Sequence, residues 1–169
     1  MSTLTQDIRL KVSSTFSQTA DLSIPNSAIA EQYKIETANG TSAGQADLRW
    51  RDAARTLAAS ASEDLDLAGG ITDEYGNTLT FVELSGIIIK NNNETAGDDL
   101  LIGGAASNAF VGWFENSSDI MRVKARDTLY LTAYDGWTVT AGTGDKLKLA
   151  NADATNQLSF DIILWGRSA

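Results

Sequence analysis

The opening segment of the chain alternates apolar and polar residues with a period of two. Ile8, Leu10 and Val12 are separated by Arg9 and Lys11. This alternation is typical of a β-strand that buries one of its faces. The pattern therefore predicts that a half-buried strand opens the fold.

Short segments of the same kind recur along the rest of the chain. Residues 13–44 are predicted to hold one or two strands joined by long loops, because Ser, Thr, Ala, Asn and Gln dominate there. Residues 53–62 lack an apolar stripe at helical spacing and are interpreted as extended chain. Gly69 and Gly70 are predicted to interrupt the strands, because glycine pairs are typical of turns. The β-branched run at 87–89 predicts a strand covered on both faces. Further strands are predicted at 20–24, 32–37, 46–52, 120–123, 128–132, 137–140, 146–149 and 158–166.

These strands together predict an all-β fold. Eight or more short strands separated by Gly, Asn and Asp turns, with no long amphipathic helix, are typical of an antiparallel β-sandwich, and a jelly roll is the first choice. The chain has 169 residues, which suits one core. We expect a single domain over 1–169, in which 1–12 form an N-terminal arm or an edge strand.

The composition argues against an enzyme. Cysteine and histidine are both absent, which removes disulfides, thiolate metal sites, the commonest general base and the Ser-His and Cys-His nucleophile pairs. Carboxylate, Lys, Tyr or Ser-Lys chemistry would remain, yet the sequence shows no cluster arranged for it. We therefore expect no catalytic residue, no cofactor and no metal ligand.

The charge limits the class of partner. The formal net charge is −9 and the sequence pI is about 4.4, so neither nucleic acid nor an anionic membrane is an expected partner. The first residues lack the basic start and apolar run of a secretion signal, and export by such a signal is not expected. Residues 73–78 offer oxygen ligands and a glycine, but they lack the acidic spacing of a calcium loop and are interpreted as a turn.

The aromatic residues divide into core and surface candidates. Trp50 and Trp165 lie in apolar runs and are predicted to be core. Trp113 and Phe114 follow a glycine and precede a glutamate, so they are candidates for an exposed anchor at an interface. Together with the opening strand they complete the set of candidate interface residues, which is Leu4, Ile8, Leu10, Val12, Trp113 and Phe114.

Two stretches of the chain resemble a known group of proteins. The first comprises LAASASEDLDL (57–67), DEYGNTLTF (73–81) and IIIKN (87–91), and the second comprises LIGGAASN (101–108), GWTVTAGTGDKLKL (136–149) and FDIILWG (160–166). Together they resemble small structural proteins encoded by tailed bacteriophages and prophages, over about two thirds of the chain. That group often has a Pro-Gly-Gly turn where this chain has Ala125, Arg126 and Asp127, so this corner is expected to be built differently.

The resemblance implies a structural protein of the virion, and a capsid decoration (cement) protein in particular. Such a protein binds the outside of the expanded head after synthesis in the host cytoplasm, so the implied partners are the major capsid protein and further copies of the chain, as a homotrimer. Residues 4–12 are hypothesised to pair with a strand edge on a neighbour by β-augmentation. A tail, baseplate or head-fibre component is the alternative within the virion. A carbohydrate-binding module, using Trp113 or Trp137, is the alternative from another class.

Overall fold

A computed structural model describes residues 3–17 and 26–169 of the chain, and it confirms the all-β prediction. All of the regular secondary structure in this described part is β-strand. The strands are β1 (Gln6–Ser17), β2 (Asn26–Asn39), β3 (Gln45–Ala46), β4 (Leu48–Leu57), β5 (Ser62–Asp66), β6 (Ala68–Thr72), β7 (Thr78–Thr80), β8 (Glu83–Asn91), β9 (Leu100–Gly103), β10 (Ile120–Val123), β11 (Thr128–Thr138), β12 (Lys146–Asn151) and β13 (Leu158–Arg167).

The chain divides into two compact units, of which the smaller, residues 5–38, is a long β-hairpin. Its strands β1 and β2 pair antiparallel without a register shift, from Gln6 opposite Thr37 to Ser17 opposite Asn26. The predicted strand at 32–37 is confirmed, but the long loops expected around it are wrong, because both strands extend much further. The strand predicted at 20–24 lies outside the described residues.

The larger unit, residues 3–4 together with 39–169, contains the β-sandwich. One sheet has the strand order β11-β8-β13-β4 and the other has the order β10-β9-β12-β5. All of the pairings between these strands are antiparallel, so the predicted antiparallel sandwich is confirmed.

The connectivity of the sandwich joins strands that are distant along the chain. Its first strand, β4, pairs with its last strand, β13. In the opposite sheet, β5, which follows β4 along the chain, pairs with β12, which precedes β13. Such nested pairing is what a jelly roll requires, and the jelly roll itself stays a prediction. The single domain over 1–169 also stays a prediction. It is favoured by the marginal stability of a two-stranded hairpin by itself.

The core lies between the two sheets and follows the period-two alternation of their strands. In β8, Ile87 and Ile89 are fully buried in it, whereas Ile88 points to the other face and is half-buried. The prediction that this strand is covered on both faces is thus confirmed for one face and only partly for the other. The strands of the facing sheet contribute the fully buried core residues Leu100, Ile102, Leu147 and Leu149.

Two predicted details of the larger unit need correction. Residues 128–132 and 137–140 were expected to form two strands, but they belong largely to one strand, β11, with an irregularity between Thr132 and Trp137. The glycine pair Gly69 and Gly70 was expected to interrupt the chain, yet it lies within β6, which pairs with β7. Gly69 adopts a φ of 125°, and the pairing with β7 shifts its register between Ala68 and Ile71, so the glycine pair makes the strand irregular without ending it.

Candidate protein interface

The hairpin presents one apolar and one polar face. Because side chains alternate across a strand, cross-strand partners share a face. The register places Leu10 opposite Tyr33 and Ile8 opposite Ile35. We define the apolar face of the hairpin by the large apolar side chains on this side, which are Ile8, Leu10, Val12, Phe16, Ile29, Tyr33 and Ile35.

Most of this face is exposed. Phe16 is 72% exposed, Tyr33 is 62% and Leu10 is 52%, and the remaining members other than Ile8 are between 37% and 50%. The sequence prediction of a half-buried strand is therefore wrong for Leu10 and Val12, although Ile8 is half-buried. The alternation of apolar and polar residues indicates that one face of a strand is apolar. It does not indicate whether another part of the same chain covers that face.

The opposite face of the hairpin carries charges that pair with one another. Nη2 of Arg9 lies 2.7 Å from Oδ2 of Asp7, and Lys34 forms an ion pair with Glu36. The hydrogen bond from the Arg9 guanidinium lowers the pKa of Asp7, and Lys34 adds to this effect. This face suits contact with water, so the apolar face is the one that is suited to a protein partner.

One charged residue interrupts the apolar face. Glu31 is opposite Val12 in the register and therefore lies on the same side as the apolar residues, where it is exposed. A partner that covered the whole face would have to bury this carboxylate or pair it with a cation. Glu31 is thus a sensitive probe of what covers the face.

The candidate residue Leu4 lies before the hairpin. It is half-buried, and its backbone N–H donates a hydrogen bond of 2.8 Å to Oδ1 of Asn39. This contact connects the two ends of the chain segment that carries the hairpin. Its backbone contact gives Leu4 an anchoring role inside the protein, and an interface role for its side chain stays a prediction.

Trp113 and Phe114 pack against the core of the sandwich unit, and an interface role for their partly exposed side chains stays a prediction. Both are half-buried and contact the core. The Trp113 ring lies 5.2 Å from the Phe110 and Trp137 rings and 5.3 Å from the Phe114 ring. The edge-to-face geometry with Trp137, at an interplanar angle of 74°, gives a packed cluster and not a flat platform for a sugar ring.

A cleft of about 440 Å³ also opens on the larger unit. The Trp50 ring at this cleft is 6% exposed and lies 5.8 Å from the guanidinium of Arg55. Arg55 donates to both carboxylate oxygens of Glu63, at 2.5 and 2.7 Å, and forms an ion pair with Asp52. These pairs raise the pKa of Arg55, with Glu63 as the main cause. The Arg55 guanidinium at this cleft is thus paired within the protein, which favours a structural role for it.

The turn at residues 73–78 is held by its own hydrogen bonds. Oδ1 of Asp73 accepts from the backbone N–H groups of Tyr75 and Asn77, at 2.9 and 2.8 Å, and Oδ2 accepts from the Asn77 side chain. These bonds lower the pKa of Asp73. Across residues 3–17 and 26–169, no group of three or more acidic side chains converges as a metal site would require.

The sequence predicted β2 only at 32–37, and it missed both the extension of this strand back to Asn26 and the face that the strand shares with β1. Ile29, Tyr33 and Ile35 repeat at even spacing, which is the same signal that identified β1. The charged Glu31 in the middle and the polar composition of the region obscured it. Pairing of the two strands is what turns two short apolar runs into one continuous face.

The comparisons with known proteins give no further identification. No protein-family model matches the chain, and no curated protein sequence matches it. The portion of the chain that the structure describes contains no helix capable of crossing a membrane.

Proposed function

We propose that this chain is a structural protein of a tailed-phage virion, and specifically a capsid decoration protein. The resemblance described above covers residues 57–166, which include most of the sandwich. The observation that carries the proposal is the exposed hairpin, because its apolar face and the free edge of β1 both suit contacts with protein chains. By contrast, Arg55 at the cleft and Asp73 at the turn are bonded to other groups of the same chain.

The hairpin also offers a second kind of contact. Strand β1 pairs with β2 on one side and lies at the edge of its sheet. An edge strand can add to the sheet of another protein through backbone hydrogen bonds. We propose that the β1 edge joins a strand of the major capsid protein in this way.

In this role the protein would reinforce the capsid shell mechanically by binding to it. A protein that binds the assembled and expanded shell better than free capsid subunits stabilises the shell by mass action. Repetition of a weak contact over the lattice makes the total stabilisation large. The net charge of −9 keeps the protein away from DNA and suits a position on the outer surface.

Co-sedimentation with purified capsids tests this proposal. We expect the recombinant protein to pellet with expanded heads that lack it, in a saturable amount that matches the number of lattice sites, and to raise their resistance to heat. Unexpanded procapsids and tails are the controls. Binding to isolated tails alone would transfer the protein to the tail or baseplate, and no binding to any of these particles would refute a virion role.

A further inference from the structure

We infer that the apolar face of the hairpin is covered by the same face of a second copy of this chain. This inference is independent of the capsid, because it concerns the free protein in solution. It assigns the face to self-association and leaves the backbone edge of β1 for other partners. The observations that carry it are the size, the charge and the shape of the face.

The size of the face is close to what a specific interface needs. Its six most exposed side chains, which are 37% to 72% exposed, leave apolar area on the order of 600 Å². A standard interface buries about 800 Å² on each partner. A two-stranded hairpin is also marginal by itself in water and needs packing against something apolar. The face is therefore large enough to be both the interface and the source of the hairpin's stability.

The charge distribution favours a copy of the same chain over an oppositely charged partner. Residues 5–38 contain three basic and four acidic residues, whereas the rest of the chain contains ten basic and eighteen acidic residues. The acidic excess that separates free molecules thus lies almost wholly outside the hairpin. Two hairpins can approach with little net repulsion, whereas a strongly charged partner would find almost nothing to pair with.

The shape suits contact between like surfaces. The hairpin pairs in perfect register over all twelve residues of β1, so its apolar face is a regular two-stranded ribbon. Two such ribbons can pack face to face about 10 Å apart, as the sheets of a sandwich do. A symmetric contact of this kind uses one patch on both copies, so each copy needs no second surface.

Glu31 distinguishes this partner from others. In a symmetric contact it lies within the buried area of each copy, where no basic residue of the apolar face is available to pair with it. Removal of its charge is therefore expected to strengthen self-association. If a basic partner covered the face, the same change would weaken binding to that partner and leave the free protein monomeric.

Sedimentation velocity over a concentration series tests the inference on the full-length protein. We expect the wild type to form an oligomer. The double variant Leu10→Thr with Tyr33→Thr keeps strand-forming residues but removes two apolar anchors, and its dissociation constant should rise at least about tenfold. The matched control is Ser13→Thr with Ala30→Thr, a cross-strand pair on the polar face, which should associate like the wild type.

The variant Glu31→Gln keeps the test decisive if the double variant loses its hairpin. We expect Glu31→Gln to lower the dissociation constant several-fold, with a circular dichroism spectrum and a single oligomer size that match the wild type, which separates tighter specific association from aggregation. A wild type that stays monomeric at all concentrations would overturn the inference. So would an oligomer that neither the double variant nor Glu31→Gln alters. Capsid binding by a monomeric protein would overturn this inference alone and leave the proposed function intact.

Discussion

Gly86 lies opposite Trp165 in the pairing of β8 with β13, and the indole occupies the space that a side chain at position 86 would need. A Cβ atom on Gly86 would lie 2.0 Å from Cζ2 of Trp165. Trp165 is 1% exposed and stacks with Tyr130 at a centroid distance of 6.4 Å, so it has little room to move. Position 86 therefore requires glycine, since the Trp165 indole fills the space that any side chain there would need.

Replacement of Gly86 by alanine is expected to lower the free energy of unfolding by about 3 kcal/mol, because overpacking forces the backbone or the indole to shift. Urea denaturation followed by tryptophan fluorescence measures this change. Gly144→Ala is the matched control, since its nearest contact, Thr140 Cβ at 3.7 Å, is ordinary packing. Equal midpoints for the two variants would contradict the packing argument.

Arg167 is a buried cation that connects three parts of the sandwich unit. Its Nη1 donates to the carbonyl oxygen of Ser42 at 2.8 Å, and its Nη2 donates to the carbonyl oxygen of Asp135 and pairs with Glu83. Arg167→Met should lower the free energy of unfolding by about 3 kcal/mol, because these acceptors would lose their charged donor. Thermal unfolding followed by circular dichroism measures the loss.

An exposed arginine provides the control for this prediction. The ion pair of Arg126 with Glu94 is 3.7 Å long, and both side chains are largely exposed. Because exposed pairs contribute little, Arg126→Met should change the free energy of unfolding by less than about 0.5 kcal/mol. A similar loss in both variants would mean that the burial of Arg167 is not what makes it important.

Asp161 makes the stability of the sandwich depend on pH. Its Oδ1 accepts from the backbone N–H of Ala54 at 2.7 Å and from Nδ2 of Asn92 at 3.0 Å, and these bonds lower its pKa. A carboxylate whose pKa is lowered by folding stabilises the protein above its unfolded pKa, which is about 3.9. That stabilisation is lost as the pH falls through the lower, folded pKa.

We therefore expect Asp161→Asn to be less stable than the wild type by about 1 kcal/mol at pH 7. The difference should shrink as the pH is lowered from 5 towards 2. Urea midpoints across this pH range measure it, and Asp127→Asn is the control, because the carboxylate of Asp127 is exposed at a turn. A difference between Asp161→Asn and the wild type that stays constant with pH would contradict the assignment.

Deletion of residues 1–12 removes most of β1 and so the edge proposed to bind the capsid. We expect the deletion variant to lose co-sedimentation with expanded heads, while the sandwich, whose core residues begin at Trp50, stays folded. Circular dichroism and thermal unfolding check the fold, and the pelleted fraction measures binding. Retained binding to expanded heads would rule out the β1 edge as the capsid contact.

The sequence predicted the sandwich well because its strands carry strong local signals. The segment at 146–149 alternates regularly, and the segment at 158–166 is largely apolar and ends at a glycine, and the structure has strands at both. The glycine-rich strand β6 was missed because its residues are typical of turns. Its pairing with β7 determines its structure, and that contact is not visible in the local pattern.

The candidate interface was harder to predict for a similar reason. Alternation correctly identified Leu10 and Val12 as strand residues on an apolar face, but burial depends on what covers the face. Trp113 and Phe114 were assigned to the surface because they stand outside a clear strand, whereas contacts with Phe110 and Trp137 bring them into a cluster. Such contacts depend on tertiary structure and cannot be deduced from residue spacing.

Immunogold labelling of phage particles from the source culture, with antibody raised against the recombinant protein, tests the proposed virion role most directly. We predict dense labelling over the whole head of mature particles, because a decoration protein occupies sites across the entire lattice. Labelling restricted to the tail or to one vertex would contradict decoration of the capsid. Absence of label from all particles would contradict any structural role in the virion.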